Sequence, residues 1–251
     1  MIEMESLEIT EFEIFKYLKI PEDNFIVIRL DGKNFHRITE ELAFEKPFDK
    51  KFREMLINST KQIMKDSGFN VIFAYIQSDE ISLLIDKEEK IFNRRVEKFN
   101  SISAAYFSVE FNKQLIFNDY DITDKTIIFD SRILVFPKKE FISKYFIYRQ
   151  QDSIRNALNS YCNYYLSRSG LTTSQIQKIL KTLNQDQRKS FLQNQYNIIF
   201  DKIPNWQKMG SIVYFEIEEK IGINELTGKK ITYTRRVLID KDAPDFSKFK
   251  I

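Results

Sequence analysis

The chain has 251 residues, of which 43% are hydrophobic and 30% charged, and its formal net charge is +3. This balance predicts a folded protein with a real core, and it restricts any nucleic-acid surface to a local patch. The only cysteine, Cys162, and the only histidine, His36, exclude an internal disulfide and a zinc site with four nitrogen or sulfur ligands. The sequence also lacks a G-x-S-x-G elbow and a G-x-G-x-x-G loop. Carboxylates, lysines, arginines and hydroxyls remain, and they favour magnesium and phosphate chemistry.

No segment approaches the ~20 consecutive apolar residues of a membrane span. The acidic first residues, MIEMESLEIT, show no signal or transit pattern. We therefore expect a cytoplasmic protein that does not associate with a membrane.

Apolar periodicity predicts six elements after a first helix, which ends before Pro21. In chain order the prediction is a helix over 6–20, a strand over 25–30, a helix from Pro47 to Gly68, strands over 69–77 and 81–86, a long helix over 91–115, and an interrupted strand over 126–129 and 133–136.

The order after Pro21 is strand, helix, strand, strand, helix, strand, which is the ferredoxin-like arrangement of an α+β fold. Right-handed crossovers give the spatial order 4-1-3-2, with strands one and three as antiparallel neighbours. Asp31 ends the first strand, and Asp79 lies in the turn before the third. The topology therefore predicts that these two carboxylates meet at one edge of the sheet.

The remaining chain predicts helices over 138–168, 172–181 and 185–195, followed by a hairpin of strands 211–219 and 231–239. No long linker or repeat interrupts the sequence. We expect one catalytic domain over 1–251, with a core over about 24–137 and a helical and hairpin elaboration over 138–251.

Two close carboxylates favour a divalent cation between them, and a pair of magnesium ions so held can activate a hydroxyl and stabilise a leaving pyrophosphate. An ordinary turn at each position explains Asp31 and Asp79 equally well. The segment 32–36, Gly-Lys-Asn-Phe-His, offers successive backbone amides that suit a triphosphate, or it is a simple turn after a strand.

Basic residues form two further groups. Arg94, Arg95 and Lys98 are predicted on one face of the long helix, where they bind phosphate only if that face overlooks the carboxylates; otherwise they are a solvated face. A second group is interleaved with Phe141, Tyr145 and Tyr148 and either grips an RNA backbone or covers a surface helix. Its members are Lys138, Lys139, Lys144 and Arg149.

Six blocks along the chain together resemble the tRNA-His guanylyltransferase superfamily, over about residues 24–215. They are FIVIRLDGKNFHRIT, YIQSDEISLLI, FNRRVEKFNS, FDSRILVFP, YRQQDS and SGLTTSQIQ. The family adds nucleotides to RNA 5′ ends in the 3′-to-5′ direction, and its core is similar to the palm of ordinary polymerases. The resemblance implies Mg²⁺ (two ions), GTP or ATP as substrates, a tRNA partner and a homotetramer built as a dimer of dimers.

Matched position by position, the resemblance implies that Asp31 and Asp79 are the two-metal carboxylates, with the Gly32 carbonyl as a further ligand. The implied nucleotide-binding positions are Gly32, Lys33, Asn34, Phe35, His36, Ser78, Lys46 and Arg29. The implied phosphate or RNA 5′-end positions are Arg94, Arg95 and Lys98.

One block departs from the eukaryotic tRNA-His enzymes, which carry His-Ile-Asn-Asn-Leu-Tyr-Asn where this chain has 154–160, Ile-Arg-Asn-Ala-Leu-Asn-Ser. Only Asn156, an expected tRNA contact, and Leu158 match. This places the chain nearer the Thg1-like branch, which resembles a templated polymerase that repairs 5′-truncated tRNA. Addition of G−1 to tRNA-His is the alternative; a nucleotidyl cyclase and a non-catalytic RNA-binding module are more distant ones.

Overall fold

The computed structural model describes residues 12–223 and 230–248. Six antiparallel strands form one sheet in the order β4-β1-β3-β2-β5-β6. The strands are β1 Phe25–Gly32, β2 Val71–Gln77, β3 Glu80–Ile85, β4 Phe129–Phe136, β5 Ser211–Ile223 and β6 Lys230–Asp242. The α-helices are α1 Phe35–Glu41, α2 Lys50–Asp66, α3 Val96–Phe117, α4 Lys139–Arg168, α5 Thr173–Thr182, α6 Gln185–Tyr196 and α7 Asn205–Met209. The predicted α+β class and the strand order 4-1-3-2 are confirmed.

Helices α2 and α3 cover one face of the sheet and form the main core with it. Helix α2 begins where the side chain of Asp49 accepts a hydrogen bond from Phe52 N at 2.8 Å, which satisfies a free amide of the first turn. Alternate residues of β1, such as Ile26 and Ile28, point into this core and are fully buried. Phe99, Phe107 and Phe111 of α3 complete this core. Its buried residues are Ile20, Ile26, Ile28, Leu30, Phe35, Phe44, Met55, Leu56, Ile57, Ile63, Met64, Phe69, Val71, Ala74, Ile76, Ile81, Leu83, Ile85, Phe99, Phe107, Phe111, Leu115, Ile127, Phe129 and Val213.

The first half of α4 packs on the other face, through Ile142, Tyr145 and Phe146 against Val27 and Leu84. Its second half leaves the sheet and forms a separate apolar cluster with α5 and α6. Helix α4 therefore connects the sheet to the C-terminal helices.

Several elements differ from the sequence prediction. Residues 12–20 form turns and a bridge between Lys19 and Arg95 rather than a helix. Their apolar side chains are exposed, except that of Ile20, which is buried in the main core; 6–11 lie outside the described residues. The long helix begins at Val96, because 92–94 adopt positive φ values that end a separate 3-10 turn. Strand β4 is continuous. The pattern missed α1 and α7, which have only seven and five residues.

The C-terminal hairpin extends the sheet instead of standing beside it. Residues 211–214 of β5 pair with 73–76 of β2, whereas the rest of β5 pairs with β6 alone. Within residues 12–223 and 230–248, no helix is long and apolar enough to cross a membrane.

Candidate active site

The end of β1 and the turn before β3 meet at one edge of the sheet. Asp31 lies directly opposite Glu80, the residue after Asp79, and Gly32 N donates to Asp79 O at 3.1 Å. Ser78 has a φ of 48°, which turns the chain tightly enough for Asp79 to face β1. The juxtaposition of Asp31 and Asp79 that the topology predicted is present, and this edge is called the catalytic edge below.

Opposed residues on antiparallel strands place their side chains on the same face, so the register defines rows across the sheet. The outermost row that crosses all four strands is the acidic row, formed by Asp130, Asp31, Glu80 and Gln77 of β4, β1, β3 and β2. The next row on the same face contains Arg132, Arg29, Ser82 and Tyr75. The sequence did not identify Glu80 and Asp130 as members of the site. Glu80 comes just before the predicted strand 81–86, and Asp130 comes just after the predicted strand segment 126–129.

Burial raises the pKa of the half-buried Asp79 carboxyl, and the charges of Asp31 and Glu80 add to the effect. A hydrogen bond of 3.0 Å from Ser78 Oγ to Asp79 Oδ1 opposes it. The catalytic edge therefore carries negative charge that its own hydrogen bonds do not fully stabilise. A cation at this edge relieves that repulsion.

The donors at the catalytic edge fit Mg²⁺, because the carboxylates of Asp31 and Asp79 and the carbonyl of Gly32 are all hard oxygen ligands. Among residues 12–223 and 230–248, there is no cluster of three or more His, Cys, Asp or Glu side chains that could hold a metal ion. Two carboxylates nevertheless suit Mg²⁺, which keeps several waters and commonly takes further oxygens from substrate phosphates.

The loop after β1 supplies fewer amides than expected. Lys33 N donates to Ile128 O at 3.0 Å, and Gly32 N is already bonded to Asp79 O. Asn34, in the left-handed conformation, precedes α1, and its carbonyl accepts from Arg37 N at 3.0 Å and from Ile38 N at 3.2 Å. The amides of Phe35 and His36 come before these bonds and have no acceptor within the helix. Phe35 is predicted to bind nucleotide, but its side chain is 4% exposed and packs in the main core. His36 is exposed, with Nε2 3.6 Å from Glu40 Oε1.

The basic group near α3 lies at the opposite edge of the sheet. Ile20 N donates to Arg94 O, and Lys19 forms a β-bridge with Arg95. Both contacts come before the first residue of β1, a strand of eight residues that has Asp31 near its other end. At ~3.3 Å per strand residue, more than ~20 Å separates them from Asp31. The condition for phosphate binding by Arg94, Arg95 and Lys98, a face that overlooks the carboxylates, is therefore not met within one chain.

Arg94 also departs from the prediction in its chemistry, because it precedes α3 and is 6% exposed. Its guanidinium donates to five backbone carbonyls at 2.8–3.2 Å, those of Ile20, Pro21, Asn24, Lys87 and Glu89. A guanidinium has five N–H groups, so no donor remains for phosphate. Arg94 is a structural residue.

Two other predicted phosphate contacts remain accessible. Lys46 is exposed and its Nζ donates to Thr39 Oγ1 at 2.8 Å, which places it beside α1. Arg29 is half-buried in the row next to the acidic row and lies directly opposite Arg132. Two guanidinium groups that face each other across a strand pair repel, and an anion between them offsets the repulsion.

The aromatic and basic residues of α4 divide between its two sides. Lys138, Lys139 and Lys144 are exposed, as is Asn156 farther along the helix. Arg149, by contrast, binds Glu80 through two hydrogen bonds of 2.7 and 2.6 Å, and both side chains are 11% exposed. The prediction that Arg149 grips an RNA backbone is wrong, because this ion pair occupies the guanidinium.

Residues 7–137 match the family model Thg1, described as tRNAHis guanylyltransferase, and 140–243 match the Thg1 C terminal domain. The tRNA(His) guanylyltransferase of Kluyveromyces lactis is 30% identical over 210 residues, which cover 82% of this chain and 87% of that protein. The crystal structure of tRNA(His) guanylyltransferase from Saccharomyces cerevisiae is 25% identical, with a TM-score of 0.72 over 77% of this chain and 86% of that one. A bacterial Thg1-like protein in complex with ATP is 28% identical, with a TM-score of 0.66 and coverage of 78% and 82%. This chain therefore belongs to the Thg1 family of tRNA(His) guanylyltransferases.

Proposed function

We propose that this protein is a template-dependent nucleotidyltransferase that adds nucleotides in the 3′-to-5′ direction to the 5′ end of truncated tRNA. The observation that carries the proposal is the catalytic edge, where Asp31 and Asp79 meet across β1 and β3. Family membership supports the coarser statement, nucleotide addition at a tRNA 5′ end.

We assign Asp31, Asp79 and the carbonyl of Gly32 as the groups that would hold two Mg²⁺ ions. When bound, such ions lower the pKa of an attacking hydroxyl and stabilise a leaving pyrophosphate. The chain itself contributes position, since the bond between Gly32 N and Asp79 O holds the two strand ends together. In this scheme the 3′-hydroxyl of the incoming nucleotide attacks the activated 5′ phosphate of the RNA and displaces pyrophosphate or AMP.

The nucleotide phosphates would bind beside the carboxylates, at the first-turn amides of α1 and at Lys46 and Arg29. Arg29 lies on the strand that carries Asp31, α1 begins just after that strand, and Lys46 contacts α1 through Thr39. The bound ATP of the bacterial Thg1-like structure supports a triphosphate site in this fold. The expected homotetramer is a further part of the proposal.

The acceptor end of the tRNA would lie along the exposed side of α4, which runs from the far edge of the sheet to the catalytic edge. Lys144 is exposed on it, as are the rings of Phe141 and Tyr148, 44% and 58% accessible, and Asn156 lies beyond Arg149. These groups suit contacts with phosphate and shape rather than reading of bases, so the opposing strand would choose the nucleotide by pairing.

Addition of a single G−1 to tRNA-His remains the second candidate, because the Kluyveromyces lactis relative has that name. In 154–160 the two residues that match the eukaryotic block have different exposures: Asn156 is exposed, whereas Leu158 is 1% accessible. Only one of the two matching side chains is therefore exposed to a bound tRNA.

A template series tests the proposal. Transcripts of a tRNA lacking its first nucleotide, with a 5′-triphosphate and each of the four bases opposite the gap, are incubated with all four nucleoside triphosphates. The added base should be the complement in each case, and extension should stop when the stem is full. The Asp79→Asn variant is the inactive control. Guanosine added opposite every base would support G−1 addition instead, and a cyclic nucleotide formed without RNA would indicate a cyclase.

A further inference from the structure

The acidic row contains a carboxylate that the proposed reaction does not use. Glu80 lies directly opposite Asp31 and follows Asp79, yet its two oxygens accept hydrogen bonds from Nε and Nη2 of Arg149. The residue is 9% exposed, so water replaces neither bond. A bidentate pair of this kind fixes the direction of the carboxylate as well as its charge.

Arg149 is itself held in place on α4. Its Nη1 is 3.1 Å from Asp152 Oδ2, one helical turn farther along. One turn earlier, Tyr145 OH lies 2.8 Å from Ser82 Oγ in the row behind Glu80. Gln150 bonds to Met209 O and Pro244 O and accepts from Phe246 N. Helix α4 is therefore fastened to the sheet before Arg149, through Ser82, and to the segments that flank β5 and β6 after it.

The position of Glu80 makes this pairing consequential. Without a partner, its carboxylate would add to the negative charge of Asp31, Asp79 and Asp130, and from its place directly opposite Asp31 it would be free to turn toward the same cation. A third carboxylate in the set changes the charge and the ligand number of the site, and both alter how a substrate-bound cation is held.

We propose that Arg149 is a positioning residue that sequesters the Glu80 carboxylate, so that Glu80 does not join Asp31 and Asp79 in facing the cation and the nucleotide. This inference rests on the proposed function for its kinetic part. Its metal-binding part stands without that function, because it concerns the charge and the ligands of the catalytic edge in the protein alone.

The test measures Mn²⁺ binding by electron paramagnetic resonance in the absence of nucleotide and RNA, together with kcat and KM for 5′ addition. Arg149→Met should bind Mn²⁺ roughly tenfold or more tightly, since a nearby positive charge is lost and Glu80 is released. Its kcat should nevertheless fall by about a hundredfold, because the reacting groups are misplaced. Tighter metal binding combined with slower chemistry is not expected of a merely structural defect.

Two further variants separate the causes. Glu80→Gln combined with Arg149→Met removes the released carboxylate, so Mn²⁺ affinity should return to within about threefold of wild type. Arg149→Lys keeps the charge without the bidentate geometry, so kcat should fall about tenfold with Mn²⁺ affinity near that of wild type. Lys113→Met, which removes an exposed lysine from its pair with Glu110 on α3, is the matched control and should change neither quantity.

Arg149→Met with unchanged Mn²⁺ affinity, or with kcat within about threefold of wild type, would overturn the proposal. If that variant does not fold, Arg149→Lys decides: a kcat equal to that of wild type overturns the proposal, and the tenfold loss supports it. A wild-type protein that adds no nucleotide to any tRNA would refute the proposed function, whereas the Mn²⁺ measurements would still test the role of Arg149.

Discussion

Gly32 offers the sharpest test of how the catalytic edge is built. A Cβ at this position would lie 2.2 Å from Cδ2 and 2.5 Å from Cε2 of the Phe35 ring. Carbon atoms pack at ~3.5–4.0 Å, so the ring would have to withdraw by more than ~1 Å. It has little room, because its centroid lies 4.9, 5.6 and 5.9 Å from those of Phe129, Phe111 and Phe52. Gly32→Ala should therefore destabilise the protein by about 1–3 kcal/mol, the usual cost of overpacking.

A double-mutant cycle isolates the clash. Phe35→Ala alone should cost about 3–5 kcal/mol through the cavity that it leaves. In that background Gly32→Ala should cost less than ~0.5 kcal/mol, because the ring is gone. Urea unfolding of the four proteins measures each step. A Gly32→Ala protein as stable as wild type, or costs that simply add, would refute the steric argument. Gly32→Ala should also slow nucleotide addition, because the peptide group between Asp31 and Gly32 would have to shift.

Three further predictions follow from single side chains. Asp79→Asn should abolish addition, and it should stabilise the metal-free protein at neutral pH. Because burial raises the folded-state pKa of Asp79, wild type loses stability as pH rises through that pKa. Urea unfolding from acid to neutral pH should therefore show a growing difference in unfolding free energy between the two proteins. A difference that stays constant with pH would contradict this. Arg94→Met should destabilise by at least about 3 kcal/mol while KM for nucleotide stays unchanged; a raised KM in a stable protein would restore a phosphate role. Gly210→Ala should cost more than Gly170→Ala in thermal melts, since both have positive φ but only the Gly210 Cβ would meet a backbone atom, Ile76 O at 2.6 Å; equal costs would mean that strain alone acts.

The sequence predicted the part of the fold in which buried strands alternate with long amphipathic helices. Periodicity located β1, β2 and β3, and chirality then ordered them, so Asp31 and Asp79 could be placed together without coordinates. The pairing of β5 with β2 could not be predicted, because an alternating pattern does not show which sheet edge a hairpin joins. The pairing of Arg149 with Glu80 was missed for a related reason. The position of Arg149 in an amphipathic helix does not reveal that its guanidinium meets a carboxylate on a strand 69 residues away in sequence.

Positive φ values explain the error at the start of α3. Phe92, Asn93 and Arg94 all have φ near 55°, a conformation that no helical pattern reports. The three predicted cations were therefore placed on a common helical face that does not exist. The apolar pattern around Phe92 and Val96 continued smoothly through this break, which concealed it.

The five hydrogen bonds of Arg94 have a consequence for the order of folding. Three of them join Arg94 to residues 20–24, and the bond to Ile20 O closes a loop of 74 residues that contains both Asp31 and Asp79. Closing so long a loop is entropically costly, and neither end gains its full set of bonds until β1 and β3 are paired. Arg94 should therefore stabilise strands that have already paired rather than bring them together. Its mutation should give a folding φ-value, the ratio of the change in folding barrier to the change in stability, near zero. By holding the far ends of β1 and β3, it would slow the unfolding of the strands at whose other ends Asp31 and Asp79 lie.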